Sequence, residues 1–303
     1  MNLSQVDVAI VGGSNAGLSA ALTLGRSRRS VAVIDDAIPR NAPASHAHNV
    51  YTRDGTPPEE LRRIGREQLE PYDVTFLNNC VSRAEGKKGA FQLTLQSGEQ
   101  LSAARLLLAT GVSDDLPALP GLLELWGKSV FACPYCHGWK VQDAPLAVVG
   151  DGDTGYHYAR LIRHWSRDLV MIVGENPTLN DEQLANLRAR GINVIRTDIT
   201  EFESRDGELS ALHLSDGKRI ARQAVFMGAP LSLRGDLHTQ LGCTLSDDGA
   251  QVVVDEMGQT SVPGVYAAGD MVSPMHAVIL AAASGMKAGA MLNNGMIIEA
   301  SNS

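Results

Sequence analysis

Two cysteines three residues apart, in the run Cys133-Pro134-Tyr135-Cys136-His137-Gly138, carry the most sharply defined chemistry in this sequence. A Cys-x-x-Cys pair can close a short disulfide, and one thiol is acidified where a helix starts at the motif or a cation lies near. His137 follows directly. With an ordinary pKa of about 6.5, it is placed to take a proton from one thiol and return it to a leaving thiol near neutral pH. The pair could also be half of a zinc site, but the sequence holds no second Cys-x-x-Cys and no His-x-x-x-His, so redox chemistry is the better reading and no metal is expected. Cys80 and Cys243 have no charged or paired neighbour in sequence and read as small core residues, and His46 and His48 read as surface or hydrogen-bonding residues.

A redox pair of this kind needs a cofactor and a fold to hold both. Residues 6–11 are apolar and β-branched, 12–17 form a glycine turn, 18–24 are helical in pattern and 31–34 are apolar again, which is one βαβ unit. Its turn, Gly12-Gly13-Ser14-Asn15-Ala16-Gly17, lies between strand and helix, where the pyrophosphate of a dinucleotide sits on a helix N-terminus. Ser14 replaces the middle glycine of the fingerprint. It is small enough to let backbone approach phosphate, although a positive φ there would be costly. Asp35, 18 residues past Gly17, ends the second strand, where a carboxylate accepts hydrogen bonds from a ribose diol.

A second unit repeats the plan with strand 146–149, turn 150–155, helix 156–162 and strand 169–173. Its turn, Gly150-Asp151-Gly152-Asp153-Thr154-Gly155, keeps three glycines but sets two carboxylates beside the expected phosphates. Beyond it, Val173-Gly174-Glu175 offers no arginine to the 2′-phosphate of NADP, and Glu175 would repel that phosphate.

The remaining chain reads as framework: strands 92–95, 105–108, 193–195 and 209–214, a helix 61–69 opened by a Thr56–Glu59 capping box, and a helix 181–190. An Ala-rich helix 276–292 closes the chain, with Gly285 and Gly289 allowing close packing. Proline-marked connectors lie at 117–121 and 230–234, and domain changes are expected near 117 and 245. With 303 residues and 44% hydrophobic side chains, two domains are the expectation. The net charge of −8 excludes attraction to a polyanion, so nucleic acid is not an expected partner, and Arg26, Arg28 and Arg29 read as a solvated helix end. The most apolar late stretch, 277–286, is well short of the roughly 20 residues a bilayer crossing requires. With no signal-peptide pattern at the start, a cytoplasmic protein without membrane contact is expected.

The order of first fingerprint, Ala109-Thr110-Gly111, Cys133-x-x-Cys136, second fingerprint and Tyr266-Ala267-Ala268-Gly269-Asp270 resembles the low-molecular-weight thioredoxin reductase family of FAD-dependent pyridine nucleotide-disulfide oxidoreductases over nearly the whole chain. That resemblance implies an α/β fold of two Rossmann-like three-layer nucleotide-binding domains. The FAD-binding domain is then discontinuous, over 1–116 and 246–303, and a central NAD(P)-binding-like domain, 117–245, carries the Cys pair. It also implies a homodimer. For FAD it implies contacts from Gly12, Ser14, Asn15, Ala16, Gly17, Asp35 and Asp36 to the adenosine and pyrophosphate, Val81 by the adenine, and Ala109, Thr110 and Gly111 beside the cofactor. Gly269 and Asp270 would lie at the ribitol or pyrophosphate, and Asn41 and His48 along the isoalloxazine. The N–H groups around His276 and Ala277 would face flavin N1 and the C2 carbonyl, where charge gathers on reduction. Cys136 is then the flavin-side sulfur and Cys133 the exchanging one.

Three departures bear on the electron donor: His137 replaces the Asp of the family motif, Val173-Gly174-Glu175 replaces its His-Arg-Arg, and Leu179 stands at a further basic position. They argue against NADPH, leaving NADH, or a second flavin near Tyr135, Trp139, Tyr156 and Tyr158, as candidates for the central domain. The wording of Cys133 to Gly138, with segments 40–43 and 53–58, is similar to divergent branches that include dithiol oxidases and pyridine-nucleotide-independent thioredoxin reductases. The expected activity is transfer of two electrons between flavin, the Cys133/Cys136 disulfide and a thioredoxin-like protein or a small dithiol. The alternatives are an NADPH-dependent thioredoxin reductase, an oxygen-dependent dithiol oxidase and a non-enzymatic flavin redox sensor.

Overall fold

A computed structural model describes residues 2–301. The chain divides into two compact units. The first comprises residues up to Ala42, Asn49–Ser113 and Leu231 onward; the second comprises Pro43–His48 and Asp114–Pro230.

In the first unit the strands Val74–Asn78, Val31–Asp35, Asn2–Val11 and Gln100–Leu108 lie side by side in that order, all parallel. Val265–Ala267 also pairs parallel with Gln100–Leu108, and an antiparallel meander of Val81–Lys87 and Ala90–Leu95 extends the same sheet. Every residue of Val31–Asp35 is buried, and Val8, Ala9 and Ile10 are fully so, as expected of strands covered on both faces. Register places Val11 opposite both Ile34 and Leu108, and Ala267 opposite Leu108. The carboxyl ends of four strands therefore meet, gathering Gly12, Asp35, Ala109 and Ala268 at one edge, the edge where open α/β sheets bind ligands.

Helix Asn15–Arg26 crosses the closing helix Val278–Ser301 at small residues. A Cβ on Gly285 would stand 2.0 Å from the Ala16 carbonyl oxygen, and one on Gly289 would stand 3.0 Å from that of Ala20. The closing helix begins two residues later and ends nine residues further on than its sequence pattern suggests. Helix Pro58–Glu67 has Pro57 at its cap position and no side-chain cap, so the Thr56–Glu59 capping box is not formed.

In the second unit a five-stranded parallel sheet runs Asn193–Ile195, Leu169–Ile172, Leu146–Val149, Ala224–Met227 and Val130–Phe131. Helices Gly152–Ile162 and Asp181–Ala189 belong to this unit; a reciprocal Asn180–Gln183 capping box opens the latter. A three-stranded antiparallel sheet, Ile199–Arg205, Glu208–Leu214 and Arg219–Ala221, packs beside it. Residues 231–245, expected with the central domain, belong to the first unit instead. Leu233, Leu237, Leu241, Cys243 and Leu245 pack into its apolar core, a non-local preference that no local pattern announces.

Candidate active site

The first glycine turn is built by close contacts. Gly12 has φ +106°, and a Cβ there would stand 2.2 Å from the Ala109 carbonyl oxygen; one on Gly17 would stand 1.8 Å from that of Gly12. Ser14 has φ −97° and is extended, so the serine carries no backbone strain. It caps helix Asn15–Arg26 without a side-chain hydrogen bond, and the first turn holds no acid. The N–H groups of Asn15 and Ala16 are thus uncapped by side chains, the arrangement that accepts a phosphate.

Asp35 is 8% exposed. One carboxylate oxygen accepts the Gly13 N–H at 3.1 Å; the other accepts Arg62 at 2.5 Å and Arg66 at 2.8 Å. A carboxylate offers about four acceptor directions, so roughly one remains for a ribose hydroxyl. Both arginines project from helix Pro58–Glu67, and sequence reasoning had passed over them because only tertiary packing brings that helix to the strand end. Asp36 pairs with Arg234 at 2.9 Å, while Val81 turns its side chain into the apolar core.

At the same strand edge the Thr110 hydroxyl lies 3.7 Å from Met271 Sδ, and Gly269, at φ +85°, donates its N–H to Ser284 Oγ at 2.7 Å. Arg40 approaches Asp270 at 3.5 Å and His276 Nδ1 at 2.7 Å, while His276 Nε2 faces the Ser273 carbonyl at 2.9 Å. A guanidinium only donates and a carbonyl only accepts, so these contacts have Nδ1 accepting from Arg40 and Nε2 donating to Ser273. His276 precedes the closing helix, and Ala277 accepts its first hydrogen bond, from Ala281. Asn41 belongs to the first unit but His48 to the second.

In the second unit Cys133 and Cys136 form a disulfide with Cα atoms 5.3 Å apart. Cys133 caps the short helix Pro134–His137, Pro134 fits its first position, and Cys133 Sγ accepts the Cys136 N–H at 3.2 Å. The His137 ring stacks on Phe131, with centroids 4.2 Å apart. Burial pushes its pKa down to about 4; a hydrogen bond with the Cys133 backbone opposes this, and the nearby charges of His48 and Lys140 add to it. Titration near 6.5 is therefore corrected: beside the disulfide His137 is neutral throughout the physiological range. Its Nδ1 is buried without a hydrogen-bond partner among the described residues.

The four aromatics around the motif separate. Tyr135 and Trp139 are 61% and 77% exposed, whereas Tyr156 and Tyr158 pack on the second unit's core. At the second turn Thr178 closes onto Asp151, donating from its N–H at 2.7 Å and its hydroxyl at 2.8 Å. Gln183 binds Asp153 at 2.6 Å, and Ser215 donates to Glu175 at 3.0 Å. Burial opposes ionisation of Asp151, but the hydrogen bonds from Thr178 and from the Gly152 and Leu179 backbone together outweigh it and hold its pKa below the ordinary value. Among the described residues no His, Cys, Asp and Glu group is arranged to hold a metal, and no helix is long and apolar enough to cross a membrane.

Residues 6–285 match the pyridine nucleotide-disulphide oxidoreductase family. The chain is 32% identical to thioredoxin reductase tcpT of Claviceps purpurea, over 97% of this chain and 95% of that protein. It is 31% identical to thioredoxin reductase sirT of Leptosphaeria maculans, over 96% and 94%. The crystal structure of an oxidoreductase from Agrobacterium tumefaciens superposes with a TM-score of 0.92 at 35% identity, covering 97% of this chain and 99% of that one. With the disulfide and the two parallel-sheet units, these likenesses make the chain a member of the pyridine nucleotide-disulphide oxidoreductase family, a thioredoxin-reductase-like enzyme acting on sulfur groups.

Proposed function

We propose that this enzyme passes two electrons between FAD held by the first unit and an external dithiol or disulfide, through Cys133 and Cys136, without NADPH as its ordinary donor. FAD is the cofactor the family implies, and the residues fit it: the turn at Gly12–Gly17 is open to a pyrophosphate, and Asp35 keeps an acceptor for a ribose. When bound, FAD supplies a two-electron donor and acceptor. Asn15 and Ala16 N–H groups would hold its pyrophosphate, and His276, fixed by Arg40 and Ser273, would lie at the flavin end.

The observation that carries the donor assignment is the second turn. A 2′-phosphate needs cations, but Glu175 stands at the strand end where one would lie, and in the turn beside the pyrophosphate stand Asp151 and Asp153, with Thr178 hydrogen-bonded across Asp151. Cys133 would attack the external disulfide and Cys136 would complete the exchange on the flavin side. His137 Nδ1 is the atom open to a thiol proton, and a thiolate formed beside it would raise its pKa from about 4. Exposed Tyr135 and Trp139 offer apolar contact to a thioredoxin-like protein or a small dithiol. Exposed Ile279, Met286 and Ile297 along the closing helix support a homodimer.

The test is anaerobic mixing of the FAD-loaded enzyme with NADPH, NADH or a small dithiol. Bleaching of the flavin band by the dithiol but not by NADPH is expected; rapid bleaching by NADPH refutes the donor assignment. The relatives named thioredoxin reductase favour the NADPH-dependent alternative, which that outcome would select. Fast reoxidation by air with turnover of a small dithiol would instead select the oxidase.

A further inference from the structure

We infer that Tyr158 is a positioning residue for the redox pair: its hydroxyl, donating to the Ala132 carbonyl at 2.6 Å, holds Cys133 where its sulfur meets that of Cys136. This rests on the reading of Cys133 and Cys136 as an exchanging pair. Ala132 is the hinge between strand Val130–Phe131 and the redox helix Pro134–His137, and Cys133 alone separates it from that helix. Tyr158 lies on helix Gly152–Ile162, the helix that opens at the second glycine turn, so one hydrogen bond ties the redox motif to a rigid element of the sheet. Burial raises the phenol pKa, so the hydroxyl stays a donor throughout the working range.

Further anchors of the motif come from His137 and Gly138. The His137 ring stacks on Phe131, and the Gly138 backbone packs so tightly on Trp165 that a Cβ would stand 2.7 Å from the indole. These hold the Cys136 end of the helix. The Cys133 end has the Tyr158–Ala132 bond, the His137 hydrogen bond to the Cys133 backbone and the Cys136 N–H on its sulfur. In the disulfide form the S–S bond itself fixes Cys133. In the dithiol form the Tyr158 hydroxyl and the His137 bond to the Cys133 backbone do so, and the hydroxyl is the part that ties Cys133 to the neighbouring helix, keeping the two thiols at the separation from which they close. The bond therefore raises the effective concentration of one thiol at the other, and its loss favours the dithiol.

The experiment equilibrates the FAD-loaded enzyme anaerobically with dithiothreitol and its cyclic disulfide, then traps thiols by alkylation. In this exchange the two dithiothreitol thiols give up two electrons and two protons and close to a disulfide. The Cys133–Cys136 bond accepts them and opens to two thiols. For Y158F, the equilibrium shifts toward the dithiol by about fivefold, the worth of one net neutral hydrogen bond, or about 20 mV for a two-electron couple. FAD content and circular dichroism stay as in the wild type, and Y156F, whose ring faces Arg160, leaves the equilibrium unchanged.

An equilibrium within twofold of wild type in Y158F overturns the inference. So does a shift in Y158L that Y158F lacks, since ring packing would then be the anchor, or an equal shift in Y156F, which would mean general loosening. If Cys133 and Cys136 cannot be reduced by dithiothreitol in the wild type at all, the exchanging-pair reading itself fails, an outcome distinct from a silent Y158F.

Discussion

His137 makes stability depend on pH with a calculable sign. Its pKa is about 4 in the folded protein and about 6.5 when the chain is unfolded, because burial on Phe131 disfavours the imidazolium. Between these values the unfolded state binds the extra proton, so stability is fully present above pH 6.5 and is lost as pH falls toward 4. Integrating the two titrations, the loss between pH 7.5 and pH 5 is about 2 kcal/mol. The perturbation is His137→Phe, which keeps a flat ring for Phe131 to stack on but cannot titrate. Urea unfolding of the oxidised, FAD-saturated wild type and variant at pH 7.5 and 5 gives the comparison. Other groups titrate in both proteins and cancel in the difference, so the wild type should lose about 2 kcal/mol more than the variant. Equal losses would refute the claim that the ring is held neutral by burial. A loss that grows on the alkaline side would reverse its sign.

Two further outcomes follow from contacts in the first unit. Gly285→Val places a side chain where even a Cβ would be 2.0 Å from the Ala16 carbonyl oxygen. The helix crossing must open, costing about 1–3 kcal/mol or more, and because Ala16 belongs to the phosphate-facing turn, FAD retention on gel filtration should fall with the melting temperature. Arg62→Met removes one of two guanidiniums from the buried Asp35 carboxylate, with an expected loss of about 1.5–3 kcal/mol in chemical denaturation and a raised FAD dissociation constant. An unchanged dissociation constant would detach Asp35 from the cofactor site.

Much of the framework was legible because its signals are local. Both glycine turns follow apolar strands and open helices where their patterns suggest, and the closing helix packs on the first through Gly285 and Gly289. Residues 231–245 were misplaced because the connector at 230–234 is weak punctuation, and what decides their membership is burial of Leu237 and Cys243 in a core assembled from distant strands. For Ser14 the residue type leaves open whether φ is positive and costly, and its extended conformation settles that it is not.

The Cys133–Cys136 disulfide, the cap made by Cys133 and the uncapped N-terminus at Asn15 were determined by sequence alone, since each depends on residues within a few positions of one another. Tertiary structure decided how these groups behave. It brought Arg62 and Arg66 to Asp35, set Arg40 against His276, closed Thr178 over Asp151 and tied Tyr158 to Ala132. It also turned His137 from an ordinary imidazole into a buried neutral one. Backbone geometry is governed by near neighbours along the chain, whereas charge state and hydrogen-bond partners are governed by whatever the fold brings within a few ångströms.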